Sequence, residues 1–189
     1  MVVLFLANGF EEVEALMPLD LLRRAGVEVT TVAIDGSGAD ERCITGAHGI
    51  SVLADISAAD FVLPNDIEMV ILPGGMPGAS NLDASPLVDS VLRTAYHRGA
   101  HLAAICAAPL VLGRRGYLDG KRATCYPGFE QELVGATVVE GGYVVDGKVI
   151  TAAGMGVAYA FGMALVEVLC GGACADRIHA AVMAPGARA

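Results

Sequence analysis

Residues 101–116 read H-L-A-A-I-C-A-A-P-L-V-L-G-R-R-G, and the chain changes character at Cys106. The apolar run before it has the length of a buried strand. Pro109, just after it, is acceptable in the first turn of a helix, where an N–H would have no partner anyway. A strand that passes into a helix through one residue brings the positions two before and two after that residue close together, so both must be small, as Ala104 and Ala108 are. Such a turn presents a nucleophile at the strand end. A thiol at a helix start faces the positive end of the helix dipole, so a lowered pKa and a reactive thiolate are expected of Cys106. The competing reading is an ordinary buried core cysteine, common for this residue type.

Short apolar runs at residues 2–6, 27–34, 69–72, 102–105 and 149–151 leave room for a helix between them. That is the βαβ pattern of an α/β fold: a mostly parallel sheet covered by helices on both faces, three layers in all. The first helix is expected over 11–24, with acids in its first turn, Arg23 and Arg24 in its last and Gly26 beyond. Pro18 should kink it or remove one hydrogen bond. Further helices are expected over 86–98, 107–115 and 157–170. Asp146-Gly147 between β-formers predicts a hairpin over 143–151 with a type I′ turn, and the alternation and glycines of 43–53 predict a small excursion of paired strands. Residues 180–189, small and poor in polar groups, either cover a neighbouring subunit or are disordered. At 189 residues the chain suits one domain, 1–189, on a prior of about 150 residues per domain.

A net charge of −9 with no run of Lys or Arg excludes nucleic acid and anionic lipid surfaces as expected partners. The mean hydropathy of +0.58 raises the question of a membrane span. The longest uncharged run, 149–166, is broken by Gly154, Gly156 and Gly162 and reads better as strand, turn and buried helix. Residues 1–10 lack the basic start and cleavage site of a signal peptide, so a cytoplasmic location is expected. Five cysteines without a CxxC pair support neither a disulfide framework nor a structural zinc site, and no metal is expected.

Two other strand ends converge with Cys106 in such a sheet. Residues 72–79, L-P-G-G-M-P-G-A, place Gly74 and Gly75 where the backbone can approach a ligand and present N–H groups to an oxyanion. An ordinary tight βα loop would look the same, and the missing GxGxxG spacing argues against a dinucleotide. Residues 7–15, A-N-G-F-E-E-V-E-A, put three carboxylates at a helix start. Glu11 and Glu12 are explained as solvated partners of the helix dipole, whereas Glu14 lies on another face and is free to turn inward. His101 precedes Cys106 by about 16 Å of strand and is too far to be its base. His97 closes a helix, and His179 forms no metal spacing with Cys170 and Cys174.

Together, E-E-V-E-A after the first strand, L-P-G-G-x-x-G-A after the third and A-A-I-C-A-A-P at the elbow resemble the ThiJ/PfpI superfamily, specifically its DJ-one branch, over residues 2 to about 185. The resemblance implies a flavodoxin-like fold, a homodimer, and Cys106 as an oxidisable nucleophile. It also implies a protonated Glu14 bonded to the sulfur, and Gly75 and Ala107 as oxyanion donors. It implies a cofactor-independent glyoxalase or deglycase acting on methylglyoxal-type α-oxoaldehydes or glycated adducts, a glyoxalase III-type lyase or a hydrolase. The alternative within the same group is a redox-sensing or chaperone-like stress protein whose Cys106 is oxidised without turnover. Position 107 is Ala where some members have His, and Tyr126 stands where close relatives often have His. A tyrosine, with a pKa of about 10, is a poor base near neutrality. Base catalysis therefore falls to Glu14 or His48, with His48 also a candidate substrate or anion contact and Arg24 reaching the site from the partner subunit.

Overall fold

The computed structural model describes residues 1–36 and 41–186. In chain order its elements are β1 (Val2–Leu6), α1 (Glu12–Arg24), β2 (Val29–Ala33), β3 (Cys43–Thr45), β4 (Ser51–Leu53), β5 (Ile56–Ser57), β6 (Met69–Leu72), α2 (Gly78–Ala84), α3 (Pro86–His97), β7 (His101–Ile105), α4 (Pro109–Arg114), β8 (Arg122–Ala123), β9 (Thr137–Val138), β10 (Tyr143–Asp146), β11 (Val149–Ala152), α5 (Ala158–Cys170) and α6 (Gly172–Ala181). Seven strands form one sheet in the order β10-β11-β7-β6-β1-β2-β5, parallel throughout except for β10 against β11.

The central strands are apolar on both faces because both faces are covered. Val3, Phe5, Val70, Leu72, Leu102 and Ala104 pack with α2, α3 and α4. Their alternates Val2, Leu4, Leu6, Met69, Ile71, Ala103 and Ile105 pack with α1, α5 and α6. A strand repeat of two residues divides one apolar run between two cores in this way.

Chain order and sheet order together fix the site. From β1 the chain moves to β2 on one side and later to β6 on the other, so β1 and β6 flank a topological switch point. The loops after β1, β6 and β7 all open at the carboxyl ends of neighbouring strands.

Several local expectations need correction. The hairpin is present, but Asp146 pairs with Val149, so its turn is Gly147-Lys148. Gly147 has φ +60 and Lys148 is not left-handed, the pattern of a type II′ turn and not I′. The helix after the elbow starts at Pro109, two residues later than expected, and α2 and α6 are elements of their own. The excursion is the antiparallel pair β3–β4. The uncharged run 149–166 divides into β11, a 3-10 turn and the start of α5, and no helix among the described residues is long and apolar enough to cross a membrane. Of the C-terminal stretch, 187–189 lie outside the described residues. The rest closes α6, with the His179 ring bonded to Gly186 O at 2.7 Å.

Pro18 removes one N–H from α1 without ending the helix, and it marks where α5 crosses α1. A Cβ on Gly162 of α5 would lie 2.7 Å from Leu21 Cδ1 and 3.0 Å from Pro18 Cα, so the glycine is required by close approach. Gly162→Ala should therefore destabilise the protein by a net ~1–2 kcal/mol, overpacking outweighing the better helix propensity of alanine. The measurement is the urea midpoint; an unchanged or higher midpoint would show that the crossing can relax.

Candidate active site

Cys106 has φ +64, a left-handed conformation rare for a residue with a side chain. The conformation is clamped from both sides. Its N–H donates to Ala152 O and its own carbonyl accepts from Tyr126 N, both at 2.8 Å, so β11 and the segment after β8 hold the elbow in place.

Gly74 is the packing partner of the elbow. A Cβ there would lie 2.6 Å from Cys106 Cβ, 2.6 Å from Glu14 Oε2 and 2.8 Å from Ile105 O, so no other residue fits. Its N–H donates to Glu14 Oε2 at 3.0 Å, a buried bond. Gly74 thus positions the carboxyl, and its N–H is not free for substrate as expected. The same loop is tied to the start of α1 through Glu11 N to Gly74 O, 2.9 Å.

Glu14 turns inward and is only 1% exposed. Burial raises its pKa to about 7, and the Glu11 charge adds to this; bonds from the Cys106 thiol and from the N–H groups of Gly74 and Met155 partly offset the rise. The thiol itself is not lowered. Burial and then the Glu14 charge push Cys106 up to about 12, against the opposing pull of the Gly75 and Ala107 N–H groups. The expectation of a dipole-lowered thiol is thus overturned, because desolvation and a facing carboxylate outweigh the end of a short helix. Near neutrality Glu14 is part protonated while the thiol keeps its proton, so the pair exchanges between a neutral and a singly charged form. Passing the thiol proton to the carboxylate makes a thiolate beside a neutral acid with no change in net charge, and the two N–H groups already face the sulfur.

The remaining candidates lie as follows. Glu12 is buried at 4% exposure and is not the solvated residue expected. Its oxygens bind His48 N and His48 Nδ1, each at 2.8 Å. Burial alone would raise Glu12, but His48 and the N–H groups of Glu12, His48 and Ile50 hold it low. His48 is exposed and its pKa is raised by the Glu12 bond and the Glu11 and Glu12 charges, with Nδ1 turned to those carboxylates. Glu11, Glu12 and His48 bring donor atoms within 4.8 Å of one another, a set that could in principle hold a metal ion; their atoms are already engaged with each other.

Tyr126 is half exposed, with its ring against Gly154. Arg24 lies ten residues from Glu14, about 15 Å along α1, and pairs with Asp20 at 2.6 Å. Within the protomer it is therefore remote from Cys106. The Met155 N–H was missed by sequence reading, since a backbone donor carries no residue signature. Asn8 was missed too: its side chain accepts from Thr45 N at 2.9 Å and donates to Asp35 O at 2.7 Å, tying the β1 loop to its neighbours.

A family model described as DJ-1/PfpI family matches residues 1–168. The chain belongs to the DJ-1/PfpI family. It is 38% identical over 171 residues to Drosophila melanogaster protein dj-1beta, covering 89% of each chain. It is 36% identical over 152 residues to Pyrococcus horikoshii deglycase PH1704, covering 78% of this chain and 87% of that one. It spans less than half the length of the Arabidopsis thaliana relatives that it matches. Its fold superposes on oxidised Toxoplasma gondii DJ-1 with a TM-score of 0.89 at 33% identity over 98% of both chains. The architecture is the flavodoxin-like α/β fold of these DJ-1 proteins.

The Glu14 environment predicts a pH dependence of stability. An acid raised from 4.5 to about 7 on folding keeps a proton in the folded state that the unfolded chain has lost. Stability is therefore full below pH 4.5 and falls as pH rises toward 7, by up to about 3 kcal/mol. Glu14→Gln should remove this decline, whatever constant offset it introduces. Urea titrations of both proteins from pH 4.5 to 8 check it; parallel curves would mean that Glu14 ionises as freely as in the unfolded chain.

Proposed function

We propose that the chain is a cofactor-independent, cysteine-dependent deglycase or glyoxalase of the cytoplasm, acting on small α-oxoaldehydes of the methylglyoxal type or on their adducts. The observation that carries this reading is the contact between Cys106 and a buried carboxyl whose pKa is raised to about 7, beside N–H groups directed at the same sulfur. The family membership and the 36% identity to a relative named as a deglycase support it.

In this reading Glu14 takes the thiol proton as Cys106 adds to the aldehyde carbon, giving a hemithioacetal. Gly75 and Ala107 N–H groups receive the developing negative charge. Glu14 then moves a proton from the aldehyde carbon to its neighbour, and water releases the hydroxy acid and regenerates the thiol. The whole conversion is addition of one water to the oxoaldehyde and needs no redox cofactor. A general acid with a pKa close to the working pH is suited to both directions of proton transfer.

Lactate formed from methylglyoxal is the direct test. Cys106→Ala should abolish it, and Glu14→Gln should lower it by roughly 10²–10⁴ fold, the usual loss for a general acid or base, while leaving Cys106 open to oxidation by peroxide. Wild-type turnover in either variant overturns the mechanism. If the wild type itself forms no lactate while Cys106 is readily oxidised, the redox-sensing reading replaces it.

The same proposal takes the active protein to be a homodimer. The groove between α1, α5 and the C-terminal segment is lined by Met17, Leu21, Arg24 and Met183, and Met183 is 87% exposed. Pairing through this face would bury it and let Arg24 serve the partner's site. Sedimentation should give a dimer at assay concentration; a fully active monomer would remove any role for Arg24.

A further inference from the structure

Glu14 meets the rest of the site through two different oxygens. Oε2 lies on the Cys106 side: it accepts from Gly74 N at 3.0 Å, and the point where a Cβ on Gly74 would stand is 2.6 Å from both Oε2 and Cys106 Cβ. Oε1 faces elsewhere. The point where a Cβ on Gly154 would stand is 3.8 Å from Oε1 and 3.3 Å from Cδ2 of the Tyr126 ring. The carboxyl therefore stands between the nucleophile and an aromatic ring, and Tyr126 N donates to Cys106 O at 2.8 Å, which ties the backbone of that ring to the elbow.

In the proposed reaction the sulfur bonds to the aldehyde carbon of R–CO–CHO, and the neighbouring carbon, which carries the substituent R, receives the proton. Glu14 serves both carbons, so the aldehyde carbon falls beside Oε2 and the second carbon beside Oε1. The substituent then leaves the second carbon on the side of Tyr126. Tyr126 is half exposed, and so is Met155 next to Gly154, so an apolar substituent finds uncovered apolar surface there and an aromatic one finds a ring to pair with. An anionic substituent finds the opposite, because the Glu11 charge already reaches Glu14.

We propose, resting on the function proposed above, that Tyr126 is the specificity-determining residue of this site and that its preferred substrates are α-oxoaldehydes with an aryl substituent stacked on the Tyr126 ring, ahead of methylglyoxal. Tyr126 takes no part in proton transfer in this arrangement. Its ring adds binding to the substituent alone, so losing it lowers the substrates that use the ring, whereas a purely structural loss would lower all substrates alike.

The ratio of kcat/KM for phenylglyoxal to that for methylglyoxal tests this in the wild type, Tyr126→Ala and Tyr126→Phe. Tyr126→Ala should lower the ratio by roughly five- to tenfold, the discrimination that one aromatic contact supplies, and Tyr126→Phe, which keeps the ring, should restore it. An unchanged ratio in Tyr126→Ala overturns the subsite and leaves the proposed activity standing. A second measurement is independent of turnover. Bromomethyl ketones, R–CO–CH₂–Br, alkylate a thiol: the sulfur–carbon bond forms, bromide leaves, and the thiol proton passes to Glu14 and on to solvent. The product has the same S–C–C(O)–R chain, so R falls in the same place. Cleavage after Lys and Arg puts Cys106 in the peptide 99–114, and mass analysis gives its rate of alkylation by phenacyl bromide and by bromoacetone, each relative to the rate with N-acetylcysteine. The wild type should favour the phenyl reagent, and Tyr126→Ala should not. If the wild type turns over neither oxoaldehyde, the proposed function falls and this second ratio decides alone: a phenyl preference lost in Tyr126→Ala upholds the subsite, and equal ratios in the two proteins remove it.

Discussion

One buried contact sets the terms for the rest of this molecule: the Glu14 carboxyl, the Cys106 thiol and the Gly74 backbone meeting inside a space that no additional carbon atom could enter. A carboxyl at 1% exposure is unfavourable unless its oxygens are bonded. The N–H of Gly74, the N–H of Met155 and the thiol provide those bonds. Each provider comes from a different strand end, after β6, β11 and β7, while Glu14 itself follows β1. Four segments distant in sequence must therefore be held in place together, and a parallel sheet with a switch point between β1 and β6 does this with short loops.

The same requirement explains why the strained residue is the cysteine. Its positive φ aims the side chain away from the sheet toward Glu14, and it persists because both backbone polar groups of Cys106 are bonded to rigid neighbours. Strain is tolerated where the surroundings over-determine it. Gly162 extends the argument to the other end of α1: close packing on α5 fixes the helix from which Glu14 projects.

Much of this was legible in the sequence, because it depends on residue types. Apolar runs, the small residues around Cys106, the paired glycines and the odd carboxylate in E-E-V-E-A each leave a mark at a fixed spacing. The pKa of Cys106 was not legible, since it depends on a balance between desolvation, a facing carboxyl and two N–H groups that only the assembled loops define. The hairpin turn slipped by one residue because Asp-Gly and Gly-Lys differ in how the strands pair, and pairing is decided across the sheet. His48 looked available because the sequence shows no partner for it, whereas the β3–β4 excursion brings it onto Glu12.

Glu12 and Glu14 make the controlling physics plain. They are two residues apart on one helix and both have little exposed surface; desolvation pushes both carboxyls up, but Glu14 lies deep in the protein whereas Glu12 lies close to its surface. Glu12 accepts from the His48 ring and from three backbone N–H groups, and it ends below the ordinary value. Glu14 accepts from fewer N–H groups, shares the field of Glu11 and faces a thiol that is itself a reluctant acid, and it ends near 7. The helix gives both residues the same chemistry, and the loops that close over them assign different work. Glu12, held below the ordinary carboxyl value, anchors the β3–β4 excursion, and Glu14, raised to about 7, is the carboxyl whose proton can move at neutral pH. A nucleophile with a thiol pKa near 12 is useful only beside such a group, because the proton it must lose then has a place to go within hydrogen-bond reach.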